Sequence, residues 1–280
     1  MTKIADGKAL AEKIYENVKK EVQKLKKRPK LTVIITDDNE AGKVYVRNKQ
    51  RACEKTGIDS VTTYFPSDVS EQEILAKINE LNTDESVDAI LVQLPLPPHI
   101  DTEKILNSIS AEKDADGFHY ENAGKMFTGQ RPSSIACTPK GIIRLLDEYK
   151  FDFTGKNAVV IGRSNIVGKP IAQLLTQRNT TVTLCHSKTK SIDFYTKNAD
   201  LIVVAIGKPK FLTGDMVKDG VSVIDVGISR VDGKLSGDVD FDTVAPKADL
   251  ITPVPGGVGP MTVAMLIQNT LELAKNHKKI

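Results

Sequence analysis

Apolar positions recur at helical spacing over residues 8–27, where Leu10, Ile14, Val18, Val22 and Leu25 share one face. The run LTVIIT (31–36) then reads as a strand, and AGKVYVRNKQRACEKTG as a helix stopped by Gly57. SVTTYF (60–65) predicts a second strand. Ser70 and Glu73 have the spacing of a capping box ahead of a helix bearing Ile74, Leu75, Ile78 and Leu81. VDAILVQLPLPP (87–98) reads as a third strand run into prolines. Strand alternating with helix predicts a parallel sheet covered on both faces.

Residues 110–138 break this rhythm with polar, glycine-bearing sequence, which predicts a long irregular segment of the kind that is usually functional or disordered. TPKGIIRLLDEY then predicts a helix with Thr138 as its cap and Pro139 at its first position. Alternation resumes at 157 with NAVVI, a helix through KPIAQLLTQRN, and the strands TVTLC, DLIVVAI, VSVIDV and a short one near DLIT. The glycine-rich stretch PVPGGVGPMT leads into a last helix from about Val263 to Lys275. The pattern is therefore α/β, in two α/β units divided around residues 120–140.

Composition narrows the class without naming a chemistry. The chain has 280 residues, 40% of them hydrophobic and 27% charged, which is ordinary for a soluble globular protein. A net charge of +3 is too small to argue for nucleic acid. The basic run Lys19–Lys30 has no interleaved aromatic residues and reads as a solvated helix end. Cys53, Cys137 and Cys185 are odd in number and far apart, which points to a reducing cytoplasmic setting. The four histidines have no metal-ligand spacing, so no metal is expected. No signal-peptide core is present, and no apolar run approaches the ~20 residues needed to cross a bilayer.

The chemistry begins at NAVVIGRSNIVGKP (157–170), a strand feeding a helix through a glycine-bearing turn. Such a turn offers free backbone N–H groups and the positive end of a helix to an anion. It matches neither standard phosphate pattern, because Ser164 stands where the dinucleotide fingerprint wants its second glycine and Pro170 replaces the hydroxyl of a P-loop. Serine still permits close approach of a phosphate and adds a donor; a purely structural turn is the alternative. Enzymes that take NAD usually place an acid ~20 residues on, at the end of the next strand, to hold the ribose 2′-OH. Here that end reads TVTLCHSKT, with no acid before Asp193, and offers Ser187 and Lys188, with Arg163 across the turn. Hydroxyl and guanidinium groups suit a 2′-phosphate, so the pattern favours NADP over NAD.

VYVRNK, VQLPLP, KDADGFH, CTPKG, GRSNIVGKP, CHSKT, DVGI and ITPVPGGVGPMT, in this order, resemble the bifunctional methylenetetrahydrofolate dehydrogenase/methenyltetrahydrofolate cyclohydrolase family. The motifs run from about residue 30 to 270. The resemblance implies a folate-binding catalytic α/β domain made of residues 1–120 with 261–280. It implies a Rossmann-like parallel-sheet domain over 138–260 that binds NADP, with a cleft between the two. It also implies tetrahydrofolate one-carbon derivatives as substrates, a homodimer, no metal, and a place in one-carbon metabolism of the kind that feeds purine biosynthesis. By resemblance, Gly162, Arg163 and Ser164 meet the cofactor phosphates, Ser187 helps hold the 2′-phosphate, and Ile228 lies on the nicotinamide side.

Tyr45 and Lys49 are four residues apart on the second predicted helix, so both project from one face. A lone helical lysine is ordinarily a solvated charge, and Tyr45 could be a core aromatic. The resemblance instead makes the lysine catalytic and packs the tyrosine over the folate ring. Gln93 interrupts an otherwise apolar strand near its carboxyl end, where open α/β sheets place ligands; it could also be a satisfied core amide. The family sets the matching glutamine beside the lysine. Asp116 could be a turn former, whereas the family's matching aspartate bonds the pterin ring. Gly256 and Gly257 are either flexible linkage or backbone that folate approaches.

The implied reaction has two steps. Hydride leaves the methylene carbon of 5,10-methylenetetrahydrofolate for NADP⁺, and water then opens the resulting methenyl cation to 10-formyltetrahydrofolate. The second step needs a base, and Lys49 is the candidate. A free lysine titrates near ~10.4 whereas a useful base sits near ~7–8, and burial or a cationic neighbour favours the neutral amine. Gln93 orients the amine without adding a counter-charge. Gly42 departs from the pattern, since several relatives carry serine there, three residues before the tyrosine. Rival readings are a dehydrogenase-only relative, an NADP oxidoreductase resembling shikimate dehydrogenase, and a non-catalytic nucleotide sensor.

Overall fold

The structure, a computed structural model, describes residues 2–36 and 40–277, without the side chains of residues 40, 41, 43 and 44. Its elements in chain order begin with β1 (Lys3–Ile4), α1 (Gly7–Val22), β2 (Lys30–Thr36), α2 (Glu40–Thr56), β3 (Asp59–Phe65), α3 (Glu71–Thr83) and β4 (Ala89–Val92). Next come α4 (Thr102–Ser108), α5 (Tyr120–Phe127), α6 (Cys137–Glu148), β5 (Asn157–Ile161), α7 (Gly168–Gln177), β6 (Thr181–Cys185), α8 (Ile192–Thr196) and β7 (Leu201–Val204). The chain closes with β8 (Val221–Asp225), β9 (Ser229–Val231), β10 (Lys234–Ser236), α9 (Phe241–Val244), β11 (Ala248–Ile251) and α10 (Val258–His277). Two compact units result, one of residues 12–137 with those from 263 on, the other of residues 1–11 with 138–262.

In the first unit β3, β2 and β4 form a wholly parallel sheet in that order. Central β2 is apolar throughout its middle, as expected of a strand covered on both faces, and Leu31, Val33, Ile34 and Ile35 are fully buried. Ile34, Ile90 and Val92 pack with Ile74 and Ile78 of α3 and Ile105 of α4 in one core. The capping box is present: Ser70 Oγ accepts from the Glu73 N–H at 3.3 Å while the Glu73 carboxylate accepts from the Ser70 N–H at 3.0 Å. Ser70→Ala is expected to destabilise the protein by ~1 kcal/mol, read as a lower urea midpoint at unchanged slope.

β4 ends at Val92, short of the expected prolines, although the Gln93 N–H still donates to Ile34 O at 2.8 Å. The segment 110–138 is less irregular than its composition predicts, because α5 forms within it. α6 begins at Cys137, so Thr138 is inside the first turn and not the cap. Its hydroxyl pairs with that of Thr262 at 2.9 Å, and Pro139 still falls where helical N–H groups have no intrahelical partner.

In the second unit six parallel strands follow the order β1-β11-β8-β7-β5-β6. β5 has β6 on one side and β7 on the other, so the strand order reverses there. Such a switch point opens a crevice at the strands' carboxyl ends, where α/β proteins place ligands. The core beneath is aliphatic, with Val159, Ile161, Ile202, Val204, Val223 and Ile251 buried together. Residues 1–11 group here, and not with the first unit as expected, because β1 adds to the sheet edge through Lys3↔Leu250 and Ile4↔Ile251. A two-residue strand carries no period for the sequence to reveal. α10 also starts earlier than expected, at Val258.

Candidate functional site

α2 carries Tyr45 and Lys49 one turn apart, and the end of β4 carries Gln93. Lys49 is 9% exposed and its Nζ donates to Gln93 Oε1 at 3.0 Å. That excludes the solvated surface lysine. The amide is held from its other end, since Gln93 Nε2 donates to Leu94 O at 2.8 Å. Its oxygen is thereby fixed as the acceptor toward the amine, and Gln93 is half-buried with both ends of its amide bonded. Tyr45 is 42% exposed, so it is no core aromatic; its ring is open to a flat partner.

Asp116 joins this group. Burial pushes its carboxyl up to about 6, against the pull of the Lys49 charge; Asp114 adds to the rise and a Cys137 hydrogen bond opposes it. The surrounding loop is tightly organised. The buried Asp114 carboxylate accepts from the N–H groups of Gly117 (3.0 Å) and His119 (2.8 Å) and from Asn122 Nδ2 (3.1 Å). Asn269 on α10 donates to both Ala115 O and Ile135 O at 2.9 Å. Asp116 is thus presented from a fixed backbone. Sequence reasoning did not find Asp114 or Asn269; the paired acids of DAD were a signal for the first, and nothing local marks the second.

In the other unit the turn after β5 is held close by two glycines. Gly162 has φ +124°, and a Cβ there would meet Ala205 O at 2.3 Å. At Gly168 a Cβ would meet Gly162 O at 2.1 Å, so α7 starts directly against the turn. Ser164 Oγ accepts from the N–H groups of Val167 (3.2 Å) and Gly168 (3.3 Å), which fixes the serine that replaces the expected glycine. Arg163 and Ser164 are exposed above it. After β6, His186 and Thr189 lock a tight turn, with His186 N–H donating to Thr189 Oγ1 at 2.9 Å and Thr189 N–H to His186 O at 2.8 Å. Ser187 and Lys188 are exposed on it, with no carboxylate in this turn. These residues fit a dinucleotide with an extra phosphate on its adenosine ribose.

Ile228 follows β8, is 44% exposed, and lies against Gly259, where a Cβ would touch Ile228 Cδ1 at 3.5 Å. Gly256 and Gly257 have a packing reason of their own. A Cβ at Gly7 would meet Gly257 O at 1.8 Å, and Lys8 N–H donates to Gly256 O at 3.0 Å, so the start of α1 is seated on this loop. The predicted residues therefore form two groups, Tyr45, Lys49, Gln93 and Asp116 in one unit, and Gly162, Arg163, Ser164, Ser187, Ile228, Gly256 and Gly257 in the other. Among the described residues no cluster of three or more His, Cys, Asp or Glu is placed to hold a metal. No described helix is long and apolar enough to cross a membrane.

Residues 5–116 match the tetrahydrofolate dehydrogenase/cyclohydrolase catalytic domain, and residues 136–278 match the NAD(P)-binding domain of the same family. The bifunctional protein FolD of Campylobacter curvus is 55% identical over 281 residues, covering 99% of this chain and 97% of that protein. The crystal structure of the bifunctional FolD of Campylobacter jejuni is similar with a TM-score of 0.97 and 50% identity, over 99% of each chain. The Trypanosoma brucei methylenetetrahydrofolate dehydrogenase-cyclohydrolase, solved with NADP and an inhibitor, is 37% identical with a TM-score of 0.95, over 100% of this chain and 99% of that one.

Proposed function

The chain belongs to the tetrahydrofolate dehydrogenase/cyclohydrolase family and is bifunctional, oxidising 5,10-methylenetetrahydrofolate with NADP⁺ and hydrolysing the methenyl product to 10-formyltetrahydrofolate; we propose which of its residues perform each task. The observation that carries the assignment is the buried amine of Lys49 held at 3.0 Å by an uncharged amide.

In the hydrolytic step a water oxygen bonds to the methenyl carbon, and Lys49 Nζ takes the proton released from that water. The carbon–N5 bond then breaks as the new hydroxyl gives up its proton to become the formyl carbonyl, N5 takes up a proton in exchange, and the formyl group stays on N10. A neutral amine has one lone pair, and Gln93 Oε1 accepts one N–H to aim it. An aspartate in place of Gln93 would favour the ammonium form and oppose the step. Tyr45 supplies a flat face for the pterin, and Asp116 accepts hydrogen bonds from its ring N–H groups.

NADP⁺ supplies the acceptor for hydride when bound. Gly162, Arg163 and Ser164 would hold its phosphates, Ser187 its 2′-phosphate, and Ile228 the nicotinamide side. The methenyl cation is stabilised by its two nitrogens, so this step asks the protein for positioning above all. Gly256 and Gly257 enter the proposal as backbone that folate could approach. A homodimer belongs to the same reading; β3 is an open sheet edge with Val61 and Tyr64 exposed, a surface that pairing would cover. Three buried cysteines, none of them in a disulfide, support a reducing cytoplasm, and a formyl donor suits purine biosynthesis.

The test is hydrolysis of methenyltetrahydrofolate, followed as loss of its near-ultraviolet absorption across pH. The ionised form of Asp116 binds the ring, and it disappears as pH falls through about 6. KM for the folate should rise roughly tenfold per unit below that point. In Asp116→Asn the KM should be high and flat over the same range. An unchanged acid limb in that variant would remove Asp116 from the site.

A further inference from the structure

In the second unit two buried carboxylates lie outside both groups. Asp225 and Asp238 are 4% and 0% exposed, and each abuts a glycine that a side chain would destroy. A Cβ on Gly227 would lie 2.2 Å from the Asp238 carboxyl, and one on Gly237 would lie 1.9 Å from Asp225 Oδ2. Asp225 closes β8, and its Oδ1 accepts from the N–H groups of Gly227 at 3.0 Å and Asp238 at 2.9 Å. Its Oδ2 accepts from Val239 N–H at 3.0 Å. One carboxylate therefore ties together both ends of the excursion that begins at Ile228 and contains β9 and β10.

Asp238 continues the connection to the neighbouring strand. Its Oδ2 accepts from Ile206 N–H at 2.7 Å and Gly207 N–H at 3.0 Å, in the loop that follows β7. Its Oδ1 has no hydrogen-bond partner among the described residues. Ala205, one residue before this loop, is the carbonyl against which Gly162 packs. A continuous run of backbone contacts thus leads from the phosphate turn through residues 205–207, across Asp238 and Asp225, to Gly227 and Ile228. Every amide in the Asp238 bond pair, and that of Gly227, lies beyond the end of its strand at the carboxyl edge of the sheet. These bonds shape loops where a ligand would rest and hold no ladder or helix together.

We propose that Asp238, acting with Asp225, is a positioning residue that sets the loops after β7 and β8 to receive the nicotinamide half of NADP before the cofactor arrives. The inference rests on the assignment of the Gly162–Ser164 turn and Ile228 to the cofactor. Charged acceptors make the stronger hydrogen bonds, and each donor here is a backbone N–H that an amide side chain can serve only in part. Asp238→Asn keeps the shape and removes the charge.

The test is calorimetric titration of the full chain with NADP⁺ and, separately, with adenosine 2′,5′-bisphosphate, which lacks the nicotinamide half. Asp238→Asn should weaken NADP⁺ roughly tenfold or more, while the bisphosphate binds within about twofold of the native chain. Equal weakening of both ligands, or of neither, overturns the proposal and leaves the pair a fold support. If Arg163→Ala and Ile228→Ala both leave NADP⁺ affinity intact, the cofactor assignment itself has failed. Hydrogen exchange on the native chain needs no variant: the amides of Ile206, Gly207 and Gly227 should be protected without cofactor. Fast exchange that slows only when NADP⁺ is added would show that the cofactor, and not Asp238, orders the loops.

Discussion

Lys49→Met is expected to lower cyclohydrolase turnover by roughly a hundred- to ten-thousand-fold, the range that one positioned general base contributes. Methionine keeps an unbranched chain of similar reach and is at ease in the buried position that Lys49 occupies, so the loss reports the amine and not a collapsed helix. The variant leaves Gln93 Oε1 without its 3.0 Å donor, although the amide is still held through Leu94 O. NADP⁺ affinity should be unchanged, because Gly162, Arg163, Ser164 and Ser187 belong to the other unit. Hydrolysis of methenyltetrahydrofolate and NADP⁺ titration on one preparation check both halves. Turnover near the native value would sink the assignment of the base. Gln93→Asp makes the complementary variant: it keeps an acceptor, on a side chain one carbon shorter, but adds a charge, and should depress the rate while leaving the lysine in place.

The apolar pattern located most of the sheet strands because β2, β5, β7 and β8 are buried parallel strands built mostly from apolar residues. The same signal was blind to β1, whose two residues satisfy an edge through backbone bonds alone. It was blind to α5 as well, since eight residues held by Asp114 and Asn122 need little periodicity of their own. In the candidate site, Gln93 was legible because a polar residue at the end of an apolar strand demands a partner, and the partner is Lys49. The missing acid after β6 was legible as charge. Asp225 and Asp238 were not, because their purpose lies in backbone amides that adjoin them only after folding. Asn269 is the same case: it bonds Ala115 O across 154 positions of sequence.

Gly162→Ala should nearly abolish NADP⁺ binding, by about a hundredfold or more, and destabilise the protein by ~2–4 kcal/mol. Two independent penalties meet at this position. The backbone has φ +124°, which side chains rarely adopt, and the added Cβ would sit 2.3 Å from Ala205 O, closer than any real contact. Relief requires the turn to separate from the loop after β7, and that widens the spacing of the N–H groups offered to a phosphate. Gly155→Ala is the control that divides the two effects, for it lies in the same unit with φ +71° and nothing within 4 Å of its Cβ. That variant should lose only the backbone share, ~1 kcal/mol, and bind NADP⁺ normally. Urea unfolding and cofactor titration on the pair measure both quantities. If the two alanine variants behave alike, steric closure of the turn against Ala205 has no part in holding the cofactor.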